Sequence, residues 1–140
     1  PLTPGAAYDL WVLGPNGWHR HFTGTAPVIG QAAPEVRIGV DRVNLELELV
    51  LTNSGAAACT FQLQALRYAS TPAQTWIVPA GSQQTVRLPV DRDHRWYDHL
   101  LRVQELGSFS RRLAGHVENG EPSVSDPAMS GAARLDQFHI

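Results

Sequence analysis

The sequence contains no lysine and a single cysteine, Cys59. One cysteine cannot form a disulfide within the chain, and because it lies at the start of a predicted strand we expect it to pack as a small apolar residue. All eleven basic residues are arginines, and the thirteen acidic residues bring the net charge to −2. This balance offers no attraction to nucleic acid, so we expect no nucleic-acid partner. No apolar run approaches the ~20 residues that a membrane-spanning helix needs.

Several signatures of catalysis are also missing from the sequence. It contains no Gly-x-Ser-x-Gly turn for a nucleophilic serine and no glycine-rich loop that would hold a phosphate. His19 and His21 lie on one face of a predicted strand, but no third ligand follows at the spacing of a zinc site. The charged segment 91–95 lacks the glycine and distal glutamate of a calcium loop, so we interpret it as a solvated turn. The residues therefore predict no catalytic group, no cofactor and no metal site.

Alternating apolar and polar residues run through most of the chain, and no window has sustained helical periodicity. About seven short strands are predicted between residues 35 and 115, with turn signals at the spacing typical of β-sandwiches. The clearest strand covers residues 45–51, where four leucines share one face. Gly107 is predicted to mark the last turn. The fold class predicted is all-β, an antiparallel sandwich of the immunoglobulin or fibronectin type, with an additional N-terminal β-hairpin.

The two ends of the chain contain a repeated segment, and repeats of this kind define structural units. Residues 8–24 form a predicted hairpin around an Asn-Gly turn, and residues 97–115 are a near copy with two extra residues in the middle. The matched residues are Tyr8 with Tyr97, Asp9 with Asp98, Trp18 with Phe109, Arg20 with Arg111, His21 with Arg112, Phe22 with Leu113 and Gly24 with Gly115.

This repeat suggests a domain organisation. A complete module ends with the Tyr-Asp hairpin, so residues 35–115 are expected to form one module and residues 1–24 to be the last hairpin of a preceding sibling module. Residues 25–34, rich in proline, alanine and glycine, are expected to be a linker, and residues 116–140 an irregular C-terminal tail. We expect the first hairpin to pair with the intact module, because an unpaired apolar edge invites association.

Five residues of the repeat are candidate binding residues. Arg20, Arg111 and Arg112 have the planar donors that suit a phosphate, but their recurrence at equivalent places also fits a shared structural role. Trp11 and Trp18 fit either the sandwich core or a surface that binds a sugar, a choline-like cation or a bilayer interface. Trp11 is the better surface candidate because it alternates away from the apolar residues of its strand.

The sequence of the first hairpin resembles the module ends of bacterial phosphocholine-specific phospholipases C. The resemblance covers Tyr8-Asp9-Leu10-Trp11-Val12 through Gly17-Trp18, with Arg20 and Phe22-Thr23-Gly24, and the tail 115–129 resembles the extreme C-terminus of the same family. His99 departs from the aliphatic or aromatic residue usual at its position. A buried histidine there would be expected to stay neutral and hydrogen-bonded.

The resemblance implies properties of a longer protein. Members of that family have an upstream catalytic domain, similar to acid phosphatases, followed by two small β modules. They are exported, so the expected localisation is secreted or periplasmic. They hydrolyse phosphatidylcholine, and some also sphingomyelin, to release phosphocholine. Their metal and nucleophile residues belong to the upstream domain and match no position here, so the chain itself is expected not to be an enzyme.

Three hypotheses for the function follow. In the first, the chain is a non-catalytic C-terminal module that supports the upstream phosphoesterase domain or helps it engage a phospholipid surface. In the second, it is a binding module for choline head groups or glycans. In the third, the first hairpin causes dimerisation by adding a strand to another chain.

Overall fold

The computed structural model describes residues 3–14, 18–67, 72–90 and 96–117 of the chain. These residues contain nine β-strands in two antiparallel sheets, so the all-β sandwich predicted from the sequence is confirmed. The strands are β1 Ala7–Leu13, β2 His19–Thr25, β3 Pro34–Asp41, β4 Glu46–Asn53, β5 Cys59–Ala65, β6 Gln74–Val78, β7 Ser82–Pro89, β8 Trp96–Val103 and β9 Leu106–His116. The predicted Asn-Gly turn, charged turn and tail beyond residue 117 lie outside the described residues.

The smaller sheet has the strand order β3-β4-β7 and the larger sheet the order β1-β2-β9-β8-β5-β6. The alternation of apolar and polar residues along the strands explains why the two sheets face each other. In β4 the first three inward-facing residues, Leu47, Leu49 and Leu51, are leucines and are all 0% exposed. The facing residues of the larger sheet include Phe61 and Phe109, whose rings meet edge to face at 6.3 Å. The core therefore lies between the two sheets of the module formed by β3 to β9.

A buried asparagine fixes the linker against this core. The Asn53 side chain, 1% exposed, accepts hydrogen bonds from the backbone N–H groups of Ala33 and Gly55. It donates to the carbonyls of Ala57 and Val78, so both ends of the amide are satisfied. The segment between β2 and β3, expected to be a linker, contains no strand and is held at its end by this amide.

Two local predictions were wrong. The turn between β8 and β9 lies at residues 104–105 rather than at Gly107, which is part of β9. Glu105 decides this position, since its carboxylate accepts hydrogen bonds from the backbone N–H and the hydroxyl of Thr60, both at 2.7 Å. Leu45 was expected to share a strand face with the other leucines, but it lies in the preceding turn with a φ of 55°.

The first hairpin joins the module through its second strand. β1 pairs with β2, and β2 pairs with β9, so the hairpin extends the larger sheet by two strands. The expected pairing with the intact module is therefore confirmed. In the described part of the chain, no helix is long and apolar enough to cross a membrane.

Candidate functional site

The two copies of the repeat have the same register in the sheet. Tyr8 lies opposite Gly24 in the first hairpin, and Tyr97 lies opposite Gly115 in the second. Between the hairpins, Arg20 lies opposite Leu113, and the equivalent pair, Arg111 and Phe22, is also in register. Exchanging the copies therefore leaves the pairing unchanged. The two hairpins are therefore related by an approximate two-fold axis that passes through the His21–Arg112 pair. The axis is normal to the sheet, because opposed residues of antiparallel strands have their side chains on the same face.

Each tyrosine covers the glycine opposite it. A Cβ atom on Gly24 would lie 2.6 Å from the hydroxyl oxygen of Tyr8, and one on Gly115 would lie 2.8 Å from that of Tyr97. Both distances are shorter than real Cβ contacts, so a side chain at either glycine would displace the ring above it. The glycines that end both copies therefore make room for the tyrosines.

Arg111 is 2% exposed and fully engaged. Its Nε and Nη2 donate to the two carboxylate oxygens of Glu35, at 2.8 and 3.0 Å. Nη1 donates to the carbonyls of Thr23 and Ser110, both at 2.9 Å, and Nη2 also donates to the hydroxyl of Tyr8 at 2.6 Å. Burial alone would lower the pKa of Arg111, but the hydrogen bonds to Glu35 and Tyr8 outweigh it and raise the pKa. The guanidinium is therefore charged and paired.

Arg20 repeats most of this arrangement in the other hairpin. It is 7% exposed, and its Nη1 donates to the carbonyls of His19 and Ala114, at 2.9 and 3.0 Å. Its Nη2 donates to the hydroxyl of Tyr97 at 3.1 Å. The two arginines thus cross over, since each binds the tyrosine of the other copy. We call this set, Tyr8, Arg20, Tyr97 and Arg111, the crossed latch.

The aromatic rings around the crossed latch already hold cations. The Arg111 guanidinium carbon lies 4.1 Å from the centre of the Phe109 ring and 5.3 Å from those of Tyr8 and Phe22. The Arg20 guanidinium carbon lies 4.5 Å from the Trp18 ring. These are cation–π distances. The faces of the Trp18 and Phe109 rings that could receive a choline-like cation are therefore occupied by the protein's own arginines.

Comparison with known proteins places the chain in a family. Residues 34–116 match the family model described as bacterial phospholipase C, C-terminal domain. The chain belongs to this family. The matched segment begins with β3 and ends with β9, so it covers the sandwich module and omits the hairpin that completes the crossed latch.

Curated relatives agree with the family assignment. The chain is 37% identical over 127 residues to the non-hemolytic phospholipase C of Burkholderia pseudomallei, an alignment that covers 89% of the chain and 18% of that protein. It is 33% identical over 131 residues to the non-hemolytic phospholipase C of Pseudomonas aeruginosa, covering 87% and 18%. The hemolytic phospholipase C of P. aeruginosa is 31% identical over 147 residues, covering 94% and 18%. The chain thus spans about a fifth of the length of the curated relatives it matches.

The outer face of this phospholipase C C-terminal domain carries a second repeated contact. Arg112 binds Asp98 through two hydrogen bonds of 3.0 and 2.8 Å, and these bonds raise its pKa. The equivalent residues in the first hairpin are His21 and Asp9, and Nε2 of His21 lies 2.7 Å from Oδ1 of Asp9. An acidic residue on the first strand of each hairpin therefore holds a basic residue on the second strand.

The predicted site residues fall into three environments. Arg20 and Arg111 lie in the buried latch, with Trp18 partly buried over Arg20. Arg112 lies on the outer face, paired with Asp98. Trp11 is 53% exposed on the same outer face and stacks on His21 at 3.8 Å between ring centres. No group of three or more His, Cys, Asp or Glu side chains in the described ranges is close enough to hold a metal ion.

Three residues of the site were not singled out by the sequence. Tyr8 and Tyr97 were visible in the repeat, but nothing indicated that each would bind the other copy's arginine. Glu35 gave no signal, because it lies on the smaller sheet and 76 residues from its partner, Arg111. The repeat itself could have indicated the tyrosines, because both copies begin with a tyrosine and end with the glycine that lies opposite it.

A groove lies beside the crossed latch, on the side of the sheet that faces the core. It has a volume of about 420 Å³. Its lining is mainly apolar and includes Tyr8, Leu10 and Phe22 from the first hairpin, Pro27 from the linker and Arg111 from β9. The groove opens beside the first hairpin, where Leu10 is 58% exposed.

Proposed function

We propose that the chain is a non-catalytic β-sandwich module of a larger bacterial phospholipase C and supports a catalytic phosphoesterase domain in the same polypeptide. The observation that carries the proposal is the match of residues 34–116 to the C-terminal domain of this family. The relatives are several times longer than the chain, which leaves room for a separate catalytic domain. The buried arginines support a structural role, because the five hydrogen bonds of Arg111 and the three of Arg20 all go to groups of the chain itself.

The reaction of the whole protein is part of the same proposal. The whole protein hydrolyses phosphatidylcholine, and sphingomyelin as an additional substrate, to release phosphocholine, and diacylglycerol from the former. Three relatives bear the name phospholipase C, and one of them is called hemolytic, which favours a lipid of cell membranes as substrate. A substrate of that kind lies outside the producing cell, so the whole protein is secreted or periplasmic.

The proposed division of the chain follows the repeat. Residues 1–24 are the end of a preceding sibling module, 25–34 the linker, 35–115 the complete module and 116–140 an irregular tail. The identical registers of the two hairpins support this division. The pairing of β2 with β9 inside one chain favours an accessory module over a hairpin that recruits a second chain.

Activity measurements on the isolated chain and on the whole protein test the proposal. The chain is purified, its β-structure is verified by circular dichroism, and a chromogenic phosphocholine ester is offered to both forms. The whole protein is expected to turn the ester over and the isolated chain is not. Turnover by the chain would refute a non-catalytic module, and an inactive whole protein would refute the assigned reaction.

A second candidate function is engagement of a lipid surface by the outer face of β1. Trp11 is 53% exposed and Leu13 is 76% exposed on that face, an arrangement suited to a bilayer interface. The test is titration with phosphatidylcholine vesicles, followed by tryptophan fluorescence. A blue shift that Trp11→Ala abolishes and Trp76→Phe leaves unchanged would support it. No shift in the natural chain would refute it, and a response to free phosphocholine alone would favour a head-group site instead.

A further inference from the structure

The inner face of the first hairpin continues the core face of the sandwich but is partly exposed. Tyr8, Leu10 and Val12 alternate onto this face, as Tyr97, His99 and Leu101 do in the second copy. His99 is 2% exposed and Leu101 0%, whereas the equivalent Leu10 and Val12 are 58% and 44% exposed. The same surface is therefore core in one copy and exposed in the other.

The cover of the second hairpin is the sheet β3-β4-β7. Leucines of β4 belong to the same buried cluster as Leu101, Phe109 and Leu113 of the second hairpin. Beside the first hairpin, the linker and parts of β3 and β9 line the groove of about 420 Å³, and Leu10 is left 58% exposed. A sheet of the same kind would fill the equivalent position over Leu10 and Phe22.

Among the described residues, one contact of Arg111 has no counterpart at Arg20 on the same side of the sheet. Each bond that Arg111 makes to the hairpins has a counterpart at Arg20: the carbonyl of the preceding residue, the carbonyl on the neighbouring strand and the tyrosine hydroxyl of the other copy. Arg111 has in addition the carboxylate of Glu35, which comes from β3. Within residues 3–14, 18–67, 72–90 and 96–117, no carboxylate is bonded to Arg20.

We propose that the inner face of the first hairpin docks a second three-stranded apolar sheet, supplied by a preceding segment of the same longer polypeptide. Its first strand brings an acidic residue to Arg20, as β3 brings Glu35 to Arg111. Two tandem modules then share one continuous sheet around the two-fold axis, each covered on the same side. The proposal rests on the proposed function in two respects, namely that the chain is part of a longer polypeptide and that residues 1–24 close a preceding sibling module.

A preceding segment fits better than a second copy of this chain. The curated relatives contain about five times as much sequence, so a tethered partner is available at high effective concentration. A second copy would bring its own β3-β4-β7 sheet, but that sheet already covers its own hairpin. The missing cover must be a sheet whose own closing hairpin is β1–β2.

Cysteine accessibility tests the docking. Leu10→Cys places a thiol on the inner face, and Leu13→Cys places a matched thiol on the outer face of the same strand, where Leu13 is 76% exposed. The native Cys59 gives little background, since it is 0% exposed and burial raises its pKa to about 11. Both variants are made in the 140-residue chain and in the whole protein, and the reaction with N-ethylmaleimide is timed. The unsubstituted whole protein supplies the background of its other thiols.

The expected result is rapid labelling of both cysteines in the 140-residue chain. In the whole protein, the labelling rate at position 10 should fall by about tenfold or more, because a covered thiol reacts only when the structure opens locally. The labelling rate at position 13 should be unchanged. Equal rates at position 10 in both forms would overturn the proposal. Protection in the isolated chain that grows with protein concentration would also overturn it, in favour of a second copy.

A second measurement tests whether Arg20 forms an ion pair with a carboxylate in the whole protein. Arg20→Gln and Arg111→Gln are compared in both forms by urea denaturation. Arg20→Gln should lower the unfolding midpoint more in the whole protein than in the isolated chain, because only there does it break an ion pair; Arg111→Gln should have the same effect in both. Equal effects of Arg20→Gln would argue against the acidic partner. Phospholipase activity is read separately, so a protected cysteine in an inactive protein would refute the proposed reaction and leave the docking intact.

Discussion

The guanidinium of Arg111 donates a 2.6 Å hydrogen bond to the hydroxyl of Tyr8, although 103 residues separate them in the sequence. The bond reaches from β9 over the intervening β2 to β1. The bond from Arg20 to Tyr97 reaches from β2 over β9 to β8 in the same way. Each half of the crossed latch therefore ties three strands together, and the two halves overlap at the β2–β9 seam.

Replacing Arg111 by methionine should destabilise the fold strongly. The change removes five hydrogen bonds and leaves Glu35 without its cation. We expect the free energy of unfolding to fall by about 3 kcal/mol, which is the lower end of the range for a buried ion pair because Glu35 is half exposed. Urea denaturation followed by tryptophan fluorescence measures it. Arg87→Met is the matched control: Arg87 contacts Asp41, Glu46 and Glu48 on the surface, and its loss should cost under ~1 kcal/mol. Comparable losses for the two variants would contradict the prediction.

Removing the Tyr8 hydroxyl should weaken the latch without removing the ring. Tyr8→Phe leaves one donor of Arg111 with Glu35 alone, and we expect a loss of about 1–2 kcal/mol. The loss of stability in the double variant with Arg111→Met should be about 1 kcal/mol smaller than the sum of the two single losses, because either change alone already breaks the bond. Full additivity in this double-mutant cycle would mean that the bond contributes nothing.

A methyl group at Gly115 should be poorly tolerated. The Cβ of Gly115→Ala would lie 2.8 Å from the Tyr97 hydroxyl, which cannot move without losing its bond to Arg20. We expect a loss of about 1–3 kcal/mol, as for overpacking of a core. Gly107→Ala, in the same strand and with no atom within 4 Å of its Cβ, should stay within about 0.5 kcal/mol of the natural chain. Thermal denaturation of both variants decides, and a stable Gly115→Ala protein would argue against close packing of the ring.

Acid should weaken the turn between β8 and β9. Burial alone would raise the pKa of Glu105, but the hydrogen bonds from Thr60 outweigh it, so the pKa lies below the ordinary 4.5. A carboxylate whose pKa is lower in the folded state than in the unfolded state stabilises the fold at pH values above its unfolded-state pKa. This stabilisation is lost as the pH falls through the folded-state pKa. Glu105→Gln should therefore be less stable than the natural chain at pH 7, and the difference should shrink below pH 4. Thr60→Val, which keeps only the backbone bond, should show an intermediate dependence; denaturation midpoints from pH 2 to 8 measure all three.

The strands could be predicted from alternation because each has one face in the core. The clearest predicted strand, residues 45–51, lies within two residues of the limits of β4, and the number of strands predicted between residues 35 and 115 agrees with β3 to β9. Turns were less predictable. Gly107 is an obvious turn residue, yet the carboxylate of Glu105 fixes the turn two residues earlier through a long-range contact with Thr60.

The site was predictable only as far as the repeat reaches. Matching the copies identified Arg20 and Arg111 and suggested a shared structural role. It could not indicate the crossing of the latch, because the partner of each arginine depends on how two distant hairpins meet in one sheet. Glu35 lies beyond any pattern, since its role arises from the packing of the smaller sheet on the larger one.

The omission of the first hairpin from the matched segment has a practical consequence. A chain cut before Pro34 would keep Arg111 in the interior while removing Tyr8 and Thr23, two of the groups that bind it. The segment that the family model matches and the segment that contains every described partner of Arg111 therefore differ by one hairpin. Boundaries drawn for expression should therefore include the first hairpin together with residues 34–116.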